Sequence, residues 1–182
     1  MRIPVIPSVV AITLVGTAGF FLTMTGPIRR SLGATEISAL VDVAGIETDL
    51  AIAPDGARYA VISSGNLWFV NDTDGTQRQI TNTPELETAP DWTPDGKRIT
   101  FTRGRDTYEV SPDNLQASPF LSDATELSWA SEDQITFIRN RGLWVATADG
   151  QESTEVVPAD PNTNITLRSP RFSPDGTELV FI

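Results

Sequence analysis

The chain has 182 residues, with 13 Lys and Arg against 24 Asp and Glu and a formal net charge of −11. That balance excludes a general nucleic-acid binder, which needs clustered positive charge for phosphates. With no Cys and no His, disulfides, thiolate metal sites and the commonest general base are absent as well. The length fits one domain.

Residues 3–28 carry no charge, and Ser8 to Met24 is almost entirely apolar or small. A helix crosses a bilayer with about 20 such residues, whereas the apolar region of a cleaved signal peptide is about 7–15. Thr23-Met24-Thr25 is a poor small-x-small cleavage site. Residues 1–30 are therefore read as a hydrophobic N-terminal helix that anchors the chain, with a cleaved signal peptide as the alternative. Arg2 precedes this span while Arg29 and Arg30 follow it, so charge alone would keep the Arg29 side in the cytoplasm. Residues 31–47 form a connector too short for a domain. Within it, Glu36 to Val43 reads equally as a strand or a short helix.

From residue 48 onward one turn keeps returning. Pro54-Asp55-Gly56 recurs as Pro94-Asp95-Gly96 after 40 positions and as Pro174-Asp175-Gly176 after another 80, with Ser131-Glu132-Asp133 in the slot between. A fixed period of this size marks a repeat architecture. Each unit has the same order of parts. An apolar run such as Leu50-Ala51-Ile52 enters the turn, where Pro fixes φ and Gly takes a positive φ. An alternating strand follows (Tyr59–Ile62, Ile99–Phe101, Ile135–Ile138, Leu179–Ile182) and then an aromatic one (Leu67–Val70, Tyr108–Val110, Leu143–Val145). Asp74-Gly75, Asp113-Asn114 and Asp149-Gly150 are expected as two-residue hairpin loops, each leading into a more polar closing strand. Four short strands per 40 residues describe a β-propeller blade, and the period-2 alternation disfavours helical repeats.

The expected fold is therefore all-β, a partial β-propeller of about three and a half four-stranded blades over residues 48–182. Complete units span 49–82, 89–122 and 125–158, and a fourth reaches only its second strand. Propellers close with about 4–8 blades. Three explanations stand open: a longer propeller of which this is the N-terminal part, two copies closing one ring, or a stable open array.

Trp92-Thr93-Pro94-Asp95-Gly96-Lys97-Arg98-Ile99-Thr100-Phe101 and its counterpart from Phe172 to Phe181 resemble the repeat of TolB-like β-propellers, relatives of the WD-type repeats. The resemblance covers roughly residues 47–182. It implies export, with the propeller on the periplasmic side of the cytoplasmic membrane, and binding through the loop faces. TolB itself carries an additional α/β domain before its propeller, used with its envelope partners. This chain has no room for one, which departs from that pattern.

The loops between second and third strands bring Arg103-Gly104-Arg105-Asp106 and Arg139-Asn140-Arg141-Gly142 to equivalent places in adjacent blades. Arg103, Arg105, Arg139 and Arg141 are a candidate patch for a carboxylate, a phosphate or a partner. The plainer reading is solvated loop residues paired with Asp106 or Glu109. Asn71 to Gly75 opens like a calcium loop, but position 12 is Asn82 where a bidentate Glu is needed, so it is read as a turn. Trp68, Trp92, Trp129 and Trp144 are read as packing residues. Ser63 and Ser64 have no His to activate them. No catalytic residue, metal or cofactor site is read. The expected function is non-enzymatic binding of a protein or peptide in the cell envelope, by a chain held to the membrane through its N-terminal helix. The alternative is the propeller part of a longer enzyme, such as a prolyl-oligopeptidase-type serine peptidase.

Overall fold

A computed structural model describes residues 43, 45–173 and 178–182. The expected membrane helix, nearly all of the connector and the Pro174-Asp175-Gly176 turn lie outside the described residues. Among the described residues no helix is long and apolar enough to cross a membrane.

Every described element is a strand. β1 (Glu47–Ile52), β2 (Arg58–Ser63), β3 (Asn66–Asn71) and β4 (Thr76–Gln79) form one antiparallel sheet in sequence order. β5 (Glu87–Trp92), β6 (Ile99–Arg103), β7 (Asp106–Val110) and β8 (Ser118–Leu121) repeat it, as do β9 (Thr125–Trp129), β10 (Gln134–Arg139), β11 (Gly142–Thr147) and β12 (Ser153–Val157). β13 (Arg171–Phe172) and β14 (Leu179–Val180) pair as the start of a fourth sheet. The first strand of each sheet lies against the first strand of the next, β1 by β5, β5 by β9 and β9 by β13. This is the radial arrangement of propeller blades, with β1, β5, β9 and β13 innermost.

The burial pattern follows from that stacking. Second strands are covered by protein on both sheet faces, so Tyr59 to Ser63 and Ile135 to Ile138 are buried without a break. Outermost strands meet solvent, and Thr76-Gln77-Arg78-Gln79 alternates between half-buried and exposed. One core cluster joins Ile62, Leu67 and Phe69 of the first sheet to Trp92, Ile99 and Phe101 of the second. Another gathers Leu127, Ile135 and Phe137 around Ala124 and Ala146, with Phe120 and Leu121 of the second sheet packed on it. Phe101 and Phe137 are fully buried, each contributing about 1.5–3 kcal/mol by transfer from water. The Trp92 indole also donates across the gap to the Ala51 carbonyl at 3.3 Å.

The Pro-Asp-Gly corners are turns with an internal device. Gly56 donates to the Ala53 carbonyl at 2.9 Å and holds φ +72°, a conformation that costs glycine little. In the second blade Asp95 accepts from the Thr93 hydroxyl at 2.6 Å and from the Lys97 amide at 3.0 Å. Asp149 repeats the device with Thr147 and Gln151 at 2.6 and 3.1 Å.

The expected two-residue loops at Asp74-Gly75, Asp113-Asn114 and Asp149-Gly150 are longer in the structure. They run over 72–75, 111–117 and 148–152. Asp74 and Asp149 accept from the backbone two residues on, Thr76 at 2.9 Å and Gln151 at 3.1 Å, and in the second loop Ser111 does so from Asp113 at 3.3 Å, which tightens a longer loop as readily as a short one. The two-residue turns are Ser64-Gly65, Gly104-Arg105 and Asn140-Arg141, between second and third strands. Ser64 and Gly65 have φ +49° and +77°, and Asn140 and Arg141 +52° and +69°, the double positive φ of a type I′ turn.

Candidate functional site

The two-residue turns share one edge of the array with the connectors between blades. Ser64 donates to the Ile46 carbonyl and Glu87 to the Gly65 carbonyl, at 2.9 and 3.0 Å. All four expected arginines are on this hairpin face, and each is already engaged.

Arg103 and Arg139 close the second strands of adjacent blades in the same register, opposite Asp106 and Gly142. Their guanidiniums stack alike. Arg103 lies 5.3 Å from the Phe101 ring centre and 4.5 Å from that of Tyr108. Arg139 lies 4.7 Å from Phe137 and 5.4 Å from Trp144. Beyond the stack they differ. Arg103 donates through Nε and Nη2 to Glu87 Oε1 at 3.0 and 2.7 Å, and the Glu87 side chain has no exposure. The other carboxylate oxygen accepts from the Leu67 amide at 2.9 Å and from the Thr81 hydroxyl. Among the described residues Arg139 donates to the carbonyls of Asp123 and Ser122, both at 3.4 Å.

Arg105 pairs with Asp123 at 3.1 Å, with side-chain exposures of 78% and 60%, a geometry worth little in stability. Asp123 therefore meets both Arg105, through its carboxylate, and Arg139, through its carbonyl. Arg141 turns away and donates to the Thr163 carbonyl at 3.0 Å. Of the two acidic partners expected for these arginines, Asp106 accepts the Asp123 amide at 2.8 Å and Glu109 pairs with Arg98.

Glu87 was not legible as a site residue. Its signal was Glu47-Thr48 recurring as Glu87-Thr88 at the 40-residue period, a charged residue at the start of the innermost strand in each of two blades.

The inner strands carry a second series of carboxylates. Each has a bulge, between Glu47 and Asp49, Thr88 and Asp91, and opposite Thr136 to Ile138. Ala89, Glu126 and Ser169 hold equivalent left-handed positions, φ +48°, +52° and +51°, so their amides leave the ladder. Each of these amides is taken by the preceding blade. Asp49 accepts from Ala89 at 3.2 Å, the Thr102 hydroxyl from Glu126 at 2.9 Å and Glu126 from Ser169 at 2.5 Å. Asp91 likewise accepts the Trp129 amide at 3.1 Å. Burial pushes the Asp91 carboxyl above the usual aspartate range, against the pull of Arg171 and its hydrogen bonds.

On the opposite edge, a groove of about 600 Å³ lies between the first two blades, lined by Arg58, Arg78, Lys97, Asp74, Asp95 and Asp113. Arg78 spans it, stacking on Phe69 at 5.3 Å and donating to the Pro112 carbonyl at 2.8 Å. Its cations and carboxylates are equal in number, so it has no charge preference. Among the described residues no group of three or more acidic side chains is placed to hold a metal ion.

Neither a family model nor a curated protein matches the sequence. Solved structures do match the fold. The structure assigned as TolB from Agrobacterium tumefaciens superposes with a TM-score of 0.66 at 22% identity, covering 88% of this chain and 61% of that one. TolB from Acinetobacter baumannii gives 0.65 at 16% identity, covering 80% and 40%. An oligogalacturonate lyase solved with manganese gives 0.52 at 18% identity, covering 69% and 41%. The chain thus carries the blades of a TolB-like β-propeller. It spans about 61% and 40% of the lengths of the two TolB chains.

Proposed function

We infer that the chain is a binding module of the cell envelope that takes a protein or peptide partner on its hairpin face and performs no chemistry of its own. The observation that carries this reading is the Arg105–Asp123–Arg139 cluster, where the Gly104-Arg105 turn, the connector between β8 and β9 and the end of β10 meet. Loops held by a stiff scaffold are where binding residues concentrate. The acidic chain, −11 overall, favours a partner recognised at such local positive sites over a polyanion. Residues 1–30 supply the membrane anchor, and the resemblance to TolB-like propellers, rather than the charges flanking that span, supports the periplasmic side for the blades. Arg103 and Arg141 support the face from within, and two copies sharing one ring remain compatible with it.

Site-specific crosslinking from Asn140, with the full-length protein in its own envelope fraction, tests this. A discrete protein adduct, competed by unlabelled chain and weakened by Arg105→Glu, is expected. Absence of any adduct from Asn140 would count against the reading.

A second reading is favoured by one observation: the lyase shares these blades, so the chain is the propeller portion of an enzyme. For its prolyl-oligopeptidase-type form, reading the coding DNA beyond Ile182 for a Gly-x-Ser-x-Gly stretch is the test.

A further inference from the structure

The blade-to-blade comparison contains an asymmetry. Glu47 and Glu87 occupy the same register position in the first and second blades, opposite Ser63 and Arg103. One position beyond the paired Thr88 and Thr125, the third blade has Ala124 instead. Ala124 is fully buried and offers no charge. The third blade thus keeps the stacked arginine, Arg139, but has lost the carboxylate that its counterpart holds from inside the fold. Among the described residues no carboxylate forms an ion pair with Arg139, and its hydrogen bonds are the two at 3.4 Å. The ring beneath it repeats the deficit, since the Trp144 Nε1 proton is buried without a hydrogen-bond partner among the described residues. On the innermost strands, by contrast, both indoles are satisfied, Trp92 by Ala51 and Trp129 by the Thr100 hydroxyl at 3.2 Å.

We propose that Arg139, stacked on Phe137 and Trp144, is a docking point for an acidic side chain of a peptide partner, which takes in trans the place that Glu87 takes on Arg103. A guanidinium laid flat on aromatic rings is held in one orientation, so its fork meets a carboxylate without further ordering. On Arg103 the Nε and Nη2 groups both donate to the single oxygen Oε1 of Glu87, at 3.0 and 2.7 Å, which shows the geometry that such a stack accepts. Asp123 does not fill the role, because its carboxylate is given to Arg105 and only its carbonyl faces Arg139. The charge-assisted pair formed is shorter and stronger than the carbonyl contacts it replaces. This inference rests on the reading of the hairpin face as a binding surface and names the chemistry recognised there.

The test is an NMR titration of the full-length 15N-labelled chain in detergent micelles, following the Arg139 Nε–H and Trp144 Nε1–H signals. The probes are a capped glutamate-containing pentapeptide, its glutamine analogue, the glutamine analogue with a free C-terminus, and inorganic phosphate. The glutamate peptide is expected to shift both signals saturably, with the millimolar affinity of one strong polar contact. The glutamine peptide should leave them in place. Arg139→Gln should lower the affinity at least about tenfold. Ala124→Glu restores the internal carboxylate and should abolish the response, and if it fails to fold, Arg139→Gln carries the comparison alone. Absence of a saturable shift overturns the proposal, as does an equal response in Arg139→Gln. A response confined to the free C-terminus, or phosphate acting as strongly as the glutamate peptide, overturns it too. A partner crosslinked equally well by wild type and Arg139→Gln leaves the binding-module reading intact while removing this subsite. A peptide response without any crosslinked partner does the reverse.

Discussion

A carboxylate without solvent persists only while donors occupy its lone pairs, and Glu87 meets that condition with Arg103, Leu67, Thr81 and a longer contact from Thr83 at 3.4 Å. Those donors come from β3, β6 and the segment after β4, so one side chain fastens the first blade to the second. Glu87→Ala should cost about 3–5 kcal/mol, the loss typical of removing one member of a buried pair, read as a drop in the urea midpoint. A cost under about 1 kcal/mol would show the network to be dispensable. Replacing Glu87 and Arg103 together by Leu and Met should cost less than the two single losses added, because no charge is then left stranded. At this scale the sequence was deceptive. Arg103 and Arg139 each open an Arg-x-Arg hairpin, and the difference between them is written at 87 and 124, about 15 positions earlier at the start of the neighbouring strand. Grouping residues by loop found the arginines. Only the ladder register showed which of them was already matched.

At the scale of the turn and the strand, the aspartates of the corners set the response to acid. Hydrogen bonds from Thr93 and the Lys97 amide hold Asp95 below its ordinary value of 3.8. Those from Thr147 and Gln151 do the same for Asp149, and those from Ala57 and Arg58 for Asp55. A lowered value means that the folded chain holds its proton less tightly than the unfolded one. The stability these groups contribute is therefore complete above 3.8 and disappears as pH falls through the lower folded values. Thermal melts of wild type and Asp95→Asn should differ at neutral pH and converge as pH drops below that window. Asp91 has the opposite sign. Its raised value favours the folded state on protonation, and that contribution is lost as pH rises through the folded value. The stability of wild type relative to Asp91→Asn should accordingly decline as pH rises above 3.8; a constant difference would refute the assignment. The strands themselves were largely readable from alternation, and the observed ones bracket those expected at nearly every place. The inner-strand bulges were not. A residue such as Ala89 or Glu126 at positive φ has no compositional signal, because the neighbouring blade, and not the residue's own preference, holds it there.

Across the whole molecule the blades form a coupled series. Phe101 is buried in the cluster shared by the first two sheets, so Phe101→Ala should cost about 3–5 kcal/mol. It should also weaken both blades together, giving a single transition shifted to lower temperature. Two separate transitions, with only the second blade affected, would contradict the shared core. Glu126→Gln tests the neighbouring junction, where it should lower hydrogen-exchange protection at Ser169 while leaving the first blade unchanged. Architecture was legible from the 40-residue period because three of the four units write the same Pro-Asp-Gly turn, 40 and 80 positions apart. The binding surface was legible only as a region, since its character depends on which side chains are consumed by neighbours.

The bulged inner strands have an orientation along the chain. The amides freed at Ala89, Glu126 and Ser169, and that of Trp129, are all received by acceptors in the blade before, at Asp49, Thr102, Glu126 and Asp91, and none of these links runs the other way. A polypeptide emerging from the ribosome meets those acceptors already in place. Each new blade is thus completed on a finished template, and the same sequence begun from the far end would have to fold its inner strands with those amides unmet.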